Sequence, residues 1–362
     1  MDESTTAPAP IWIATQPELD HFAKHARSHS LLGLDTEFIR TQTFHAELGL
    51  VQIASGHSIA LVDPLIGDLK LCLSSLVGDA ALTKIVHSAS EDLEVLSHAL
   101  GTVAAPLFDT QIAAVLCGYE QPPSYQKLVA QELDISLDKQ ATRTDWLKRP
   151  LDTEQLRYAA EDVLHLAPLY QTLSARLQSL GRLAWMAEEC QRAVDKSRQA
   201  LDPFPHLKIR GAERMNPAQQ GRLWRLLHWR DREAMARNRP KKWILDNPVA
   251  LRAALLERAD LAALEAAVAA DGRPSAKLAH KIEQILKHAP TAEELNIPLS
   301  LTQNELEKTR ARDLREHAVV AAQALSLSVD FLLPRRGLDY WARHGLLPED
   351  LRGWRNQVLW PA

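Results

Sequence analysis

The sequence predicts an α/β N-terminal domain with a mixed sheet, followed by two small all-α domains. Three observations carry this. Short apolar runs rich in Ile, Val and Leu crowd the stretch before residue 90, helical apolar spacing takes over after 109, and little strand signal remains beyond 201. The length of 362 residues suits two or three domains at roughly 100–200 residues each. A hydrophobic content of 46% supplies cores for all of them and excludes wholesale disorder.

The elements follow in order. Residues 1–10 read as a flexible tail. Residues 11–14 form a short strand and 18–27 a helix. The run 30–38 (SLLGLDTEF) is a buried strand that turns polar in its second half. Residues 48–54 and 58–62 make a hairpin around Ser55-Gly56-His57. A strand at 84–87 leads into a helix at 91–100. Helices are then expected at 109–117, 124–132 and from 153 to about 180, closing the first domain at 11–200. Two prolines in Leu201-Asp202-Pro203-Phe204-Pro205-His206 mark a linker, 201–211. The first helical domain spans 212–290, with helices at 217–237, 248–257, 260–270 and 275–288. The second spans 291–362, with helices at 303–325, 328–333, 337–345 and 348–356. An echo at an offset of 88 aligns Ala236 with Ala324, Trp243 with Phe331, Ile244 with Leu332 and Leu245 with Leu333, so the two blocks read as one motif used twice.

Charge divides the chain. Residues 1–200 hold 16 Lys and Arg against 26 Asp and Glu, while 201–362 hold 26 against 20, so a net charge of -4 conceals an acidic front and a basic rear. That asymmetry points to a polyanionic partner. Within 201–242 there are 11 Lys and Arg and four Asp and Glu, interleaved with tryptophans. No run reaches the ~18 apolar residues of a membrane span. The opening Met1-Asp2-Glu3-Ser4 lacks a signal-peptide pattern, and three scattered cysteines suit a reducing cytoplasm, so a cytoplasmic protein is expected.

Carboxylates carry the chemistry. Asp35 and Glu37, two apart on a strand, share a face. Side by side they repel one another unless a cation neutralises them, and hard divalent ions take oxygen ligands of this kind. Asp92 falls in the first turn of a helix, and Tyr158 and Asp162 are neighbours at i and i+4 on another. Ala159 and Ala160 would let that helix approach the sheet closely.

Taken together, Asp35-x-Glu37, Asp92 and Tyr158-x-x-x-Asp162 resemble the DEDD exonuclease superfamily in its tyrosine branch. The stretches Leu34–Thr41, Leu48–Ile53, His87–Val95, Phe108–Gln111, Leu137–Lys139, Arg143–Leu147, Arg149–Leu151 and Tyr158–Val163 are similar to bacterial ribonuclease D. Ser88, small and polar, stands where the superfamily often has Asn or a small residue. Arg157 occupies the place that its other branch gives to His. Ala236-Arg237-Asn238-Arg239-Pro240 followed by Trp243-Ile244-Leu245 resembles the HRDC helical module.

The resemblance implies a ribonuclease-H-like fold, HRDC-like helical domains and hydrolysis from RNA 3′ ends, one nucleotide at a time. It also implies two divalent ions, Mg2+ or Mn2+. Asp35 would serve both, Glu37 and Asp162 the one that activates water, and Asp92 the other. Tyr158 would orient the attacking water. Phe38 is the candidate to meet the terminal base, and Lys139, Arg143, Trp146 and Arg149 to contact the substrate. The expected substrates are precursor tRNA and other structured RNA ends, met by a monomer with no obligate protein partner and no membrane. A DNA 3′→5′ exonuclease and a catalytically silent RNA-binding adaptor are the alternatives. The completeness of the carboxylate set argues against the adaptor. If cutting and holding are separate, a chain ending near residue 200 should keep metal-dependent cleavage.

Overall fold

A computed structural model describes residues 9–66, 68–137, 144–199, 201–270 and 274–360. Most of the expected tail, together with Lys139 and Arg143, lies outside these. The described chain forms two compact units. One comprises 1–39, 46–198 and 305–362, and the other 40–45 and 199–304.

The first unit is built on six strands, β1 (Ile11–Ile13), β2 (Leu31–Ile39), β3 (Glu47–Ser55), β4 (Ser58–Val62), β5 (Thr83–Val86) and β6 (Leu107–Asp109). They lie in the order β1-β4-β3-β2-β5-β6. The sheet is mixed. β2–β3 and β3–β4 run antiparallel, and β1–β4, β2–β5 and β5–β6 run parallel. β2, which carries Asp35 and Glu37, is therefore central, and its inner residues Leu32 and Leu34 are fully buried. Helices α1 (Gln16–Ala26), α2 (Lys70–Val77) and α3 (Ser90–Leu100) supply Leu19, Leu73 and Leu96 to one core with the sheet. A second core takes α4 (Thr110–Leu116), α5 (Tyr125–Leu133), α6 (Thr153–Leu164), α7 (Leu166–Ser179) and α8 (Leu183–Ser197).

The single helix expected from 153 to 180 is two. Tyr125 accounts for the break: its hydroxyl donates to the Glu161 carbonyl at 3.1 Å and accepts from the His165 backbone N–H at 3.2 Å. The α6–sheet contact is close because Gly33 faces it. A Cβ there would lie 3.4 Å from the Val163 carbonyl oxygen and 3.2 Å from Ala54 Cβ.

The second unit holds α9 (Pro217–Ala236), α10 (Lys241–Ile244), α11 (Asn247–Leu255), α12 (Leu261–Ala269), α13 (Ala276–Lys287) and α14 (Ala292–Leu295). Their core is made by Leu223, Leu227, Leu245, Leu264 and Ile282. The last helices are α15 (Glu305–Ala324), α16 (Val329–Leu332), α17 (Arg335–His344) and α18 (Trp354–Leu359). The offset of 88 persists in the backbone: α9 and α15 have 20 residues each, and α10 and α16 four each. Asn238 and Ser326, 88 apart, both take positive φ, at 45° and 52°.

The contacts of the second block differ from the sequence expectation of a separate domain at 291–362. Residues of α15–α18 share the core of α4–α8. Trp354, fully buried, stacks on Trp185 with ring centroids 4.6 Å apart and donates from its indole N–H to Glu189 at 2.7 Å. Arg355 pairs with the same carboxylate. Arg182 donates to the carbonyls of Leu116 and Leu325, each at 2.6 Å. Sequence patterning misses this because it shows which face of a helix is apolar but not what covers it.

A chain ending near residue 200 should therefore lose stability rather than simply lose a binding module. Trp354→Ala alone is expected to cost about 3–5 kcal/mol. Chemical denaturation reads this, and a Trp354→Ala midpoint equal to wild type would contradict it.

Candidate active site

β2 delivers the first two carboxylates. Asp35 faces Gln52 across the β2–β3 pairing, and Glu37 faces Leu50. Strand alternation puts both on one face, where α6 brings Asp162, and carboxylate oxygens of Asp35, Glu37 and Asp162 lie within 4.8 Å of one another. Asp92 comes from the first turn of α3 on the other side of β2. Thr36, whose side chain alternates away from its neighbours, donates its hydroxyl to Asp92 Oδ1 at 2.5 Å. The strand thus presents two carboxylates on one face and anchors a third from the other.

The turn before α3 is set by Asp109, which is buried. Its carboxylate accepts from the backbone N–H groups of Ser88 (3.0 Å) and Ala89 (2.9 Å) and caps α4 through Gln111 N–H (2.8 Å). Ser88 takes a left-handed φ of 64°, which a small residue near that turn accommodates. His87 is structural: its ring bonds Thr110 Oγ1 and the Pro123 carbonyl.

Electrostatics mark the cluster. Burial, then the charges of Asp92, Asp162 and Glu37, hold the Asp35 carboxyl well above the ordinary carboxylate range. Burial followed by Asp162 and Asp92 pushes Glu37 up to about 9. Burial raises Asp162 to about 7 against an opposing hydrogen bond from Tyr158, and raises Asp92 to about 6 against the bond from Thr36. Tyr158 is itself raised by burial and by the same acids, so its phenol keeps its proton at neutral pH. Four mutually repelling carboxyls gather here, and the three whose oxygens lie within 4.8 Å of one another, Asp35, Glu37 and Asp162, form a hard-oxygen donor set suited to a divalent cation.

Two sequence-expected substrate contacts are corrected. Arg149 grips Asp63 with two bonds of 2.6 and 2.7 Å and donates to the carbonyls of Gly49 (2.6 Å) and Trp146 (2.8 Å). Asp63 has no exposed side-chain surface, so this guanidinium is committed to a buried partner rather than to phosphate. Trp146 is 3% exposed, and its ring lies 6.2 Å from that of Tyr158. Gly49 is where the β2–β3 register slips, and a Cβ there would lie 2.7 Å from the Trp146 carbonyl oxygen. Together Gly49, Asp63, Trp146 and Arg149 seat the segment that enters α6 and hence place Tyr158 and Asp162. Phe38 is half-buried against the sheet core.

Gln52, Thr36, Asp63 and Asp109 are the residues that sequence reasoning did not assign. Gln52 is fully buried and donates to Asp35 Oδ2 at 3.4 Å, so it orients a carboxylate rather than meeting substrate.

Comparison with known proteins agrees with this geometry. Residues 10–178 match the family described as 3′-5′ exonuclease. The chain is 38% identical to ribonuclease D of Xanthomonas oryzae over 97% of this chain and 96% of that one. The chain belongs to the ribonuclease D family. Ribonuclease D of Pseudomonas paraeruginosa is 36% identical over 98% of this chain and 96% of its own. Escherichia coli RNase D, described as an exoribonuclease involved in structured RNA processing, superposes with a TM-score of 0.83 at 27% identity over 96% of each chain. Ribonuclease D membership makes the protein a 3′→5′ exoribonuclease of a metal-dependent exonuclease family, and it does not favour the DNA exonuclease reading. Among the described residues no helix is long and apolar enough to cross a membrane.

Proposed function

We propose that this chain removes nucleoside monophosphates one at a time from RNA 3′ ends, using two divalent ions, Mg2+ or Mn2+, and that precursor tRNA ends are among its substrates. The observation that carries the reading is the convergence of Asp35, Glu37 and Asp162 within 4.8 Å, with Asp92 anchored beside them by Thr36. Asp35 would serve both ions, Glu37 and Asp162 one, and Asp92 the other. Divalent ions bound to such a set lower the pKa of a coordinated water and neutralise charge on the phosphate. The protein's own groups do the rest. Tyr158, with its proton retained, orients the attacking water by hydrogen bonding rather than abstracting a proton. Gln52 holds the Asp35 carboxylate, and the Gly49–Trp146–Arg149–Asp63 packing fixes the helix bearing Tyr158 and Asp162. Phe38 offers an apolar surface to the terminal base. The chain acts as a monomer.

Matched RNA and DNA oligonucleotides, with free or blocked 3′ ends, test this. The expected products are nucleoside 5′-monophosphates from the free-ended RNA only, and trimming of a 3′-extended tRNA precursor. Internal fragments, or equal rates on DNA and RNA, would overturn it.

A further inference from the structure

The two helical repeats differ in how the aromatic at one corresponding position is covered. In the second repeat Phe331 is covered. Trp354 stacks on it with centroids 6.2 Å apart at 27°, and the Arg355 guanidinium lies 5.4 Å from its ring centre. In the first repeat the same position holds Trp243, which is 53% exposed. The surrounding backbone is alike in both. Arg239 N–H bonds the Ala234 carbonyl and Leu327 N–H the Ala322 carbonyl, each at 2.9 Å. Leu245 and Leu333, two residues after the aromatic, are each 1% exposed. The short helix α10 that carries Trp243 is thus flanked by the same kind of bond and the same buried leucine.

What covers Phe331 is a flat ring accompanied by a cation. At Trp243 the cation is supplied by the chain itself, since the Arg239 guanidinium lies 5.9 Å from the indole centre. A flat ring from a partner would complete the same arrangement. The charge nearby selects its class. Residues 232–246 hold five Lys and Arg (Arg232, Arg237, Arg239, Lys241, Lys242) against Glu233 and Asp246. Arg237 pairs with Glu233 and Lys241 with the buried Asp231, while Arg239 and Lys242 are exposed. A flat ring attached to negative charge is a nucleobase with its phosphates.

We propose that Trp243 is a stacking platform for one base of single-stranded RNA, with Arg239 and Lys242 meeting the adjacent phosphates. The proposal deepens the exoribonuclease reading and rests on it for the choice of RNA.

The full-length chain is titrated, in chelator so that nothing is cut, against an oligoadenylate of roughly 12 nucleotides across a range of salt. Trp243→Ala should weaken binding about tenfold without changing the salt slope, because stacking releases no counterions. Trp243→Phe should lose about twofold or less, since a ring remains. Lys242→Ala should lower the slope by about 0.7, the value of one phosphate contact on a single strand. Unchanged affinity in Trp243→Ala overturns the proposal and leaves the indole to a protein partner, and equal losses in the Ala and Phe variants overturn stacking. Wild-type cleavage of the same oligonucleotide with metal is followed in parallel. Its absence would sink the exoribonuclease reading, whereas intact cleavage with unchanged Trp243→Ala binding sinks this proposal alone.

Discussion

Asp35→Asn should abolish metal-dependent nucleotide release and at the same time make the metal-free chain harder to unfold. The loss follows from the position of Asp35, which lies within 4.8 Å of two other carboxylates and in the field of a third. Removing a central ligand forfeits several kcal/mol of charge stabilisation, so a fall of about a thousandfold or more is expected. The gain follows from the raised carboxyls. Glu37 moves from 4.5 to about 9, Asp162 from 3.8 to about 7 and Asp92 from 3.8 to about 6. A carboxyl whose folded pKa is raised binds more protons folded than unfolded, so its contribution is fully present at low pH and is lost as pH climbs through the folded value. The metal-free wild type should therefore lose stability from roughly pH 4 to pH 9, and the Asn variant, with one acid fewer, should lose less. Each kcal/mol of relief is worth roughly 2–4 °C in Tm. Metal should stabilise wild type more at the alkaline end of that range, with proton release on binding. Thermal melts with and without magnesium at several pH values read all of this. A variant less stable than wild type at alkaline pH would contradict the repulsion argument.

Arg149→Ala should cost about 3–5 kcal/mol, because it strands a fully buried Asp63 without its partner. The same change should lower kcat at temperatures where the variant is still folded. Arg149 holds the Gly49 and Trp146 carbonyls, and the segment they form leads into α6 with Tyr158 and Asp162. Misplacement of about 1 Å at such groups can cost on the order of a hundredfold. Arg149→Lys should not restore either property, since an ammonium cannot make the two-pronged grip. Denaturant midpoints and single-turnover rates separate the effects. A variant with wild-type stability and weakened RNA binding would return Arg149 to the phosphate-contacting role that its sequence context suggests.

The misreading of Arg149 and Trp146 has a physical cause. Both sit in a short charged stretch that looks solvated, and the groups that hold Arg149, Asp63 just past β4 and Gly49 on β3, are 86 and 100 residues away from it. Local spacing was informative where the interaction is itself local: the alternation that pairs Asp35 with Glu37, the helical turn that joins Tyr158 to Asp162, and the 88-residue echo that recurs as two 20-residue helices. It was silent on the bond between Thr36 and Asp92, 56 residues apart, and on the three-residue strand Leu107–Asp109, too short to show alternation. The destination of the second helical block was also hidden. Its apolar faces are visible in the sequence, but the choice between a core of its own and the core of α4–α8 is made by Trp354, Arg355 and Glu189 across long separations.

The most direct test of the central claim is a magnesium titration of the chelator-stripped chain in which RNA cleavage and Tm are followed together. Cleavage from the 3′ end should appear over the same concentration range in which Tm rises, and Asp35→Asn should show neither. Cleavage that persists in chelator, or an Asp35→Asn variant as active as wild type, would contradict the assignment of this carboxylate cluster as the metal-loaded cleavage site.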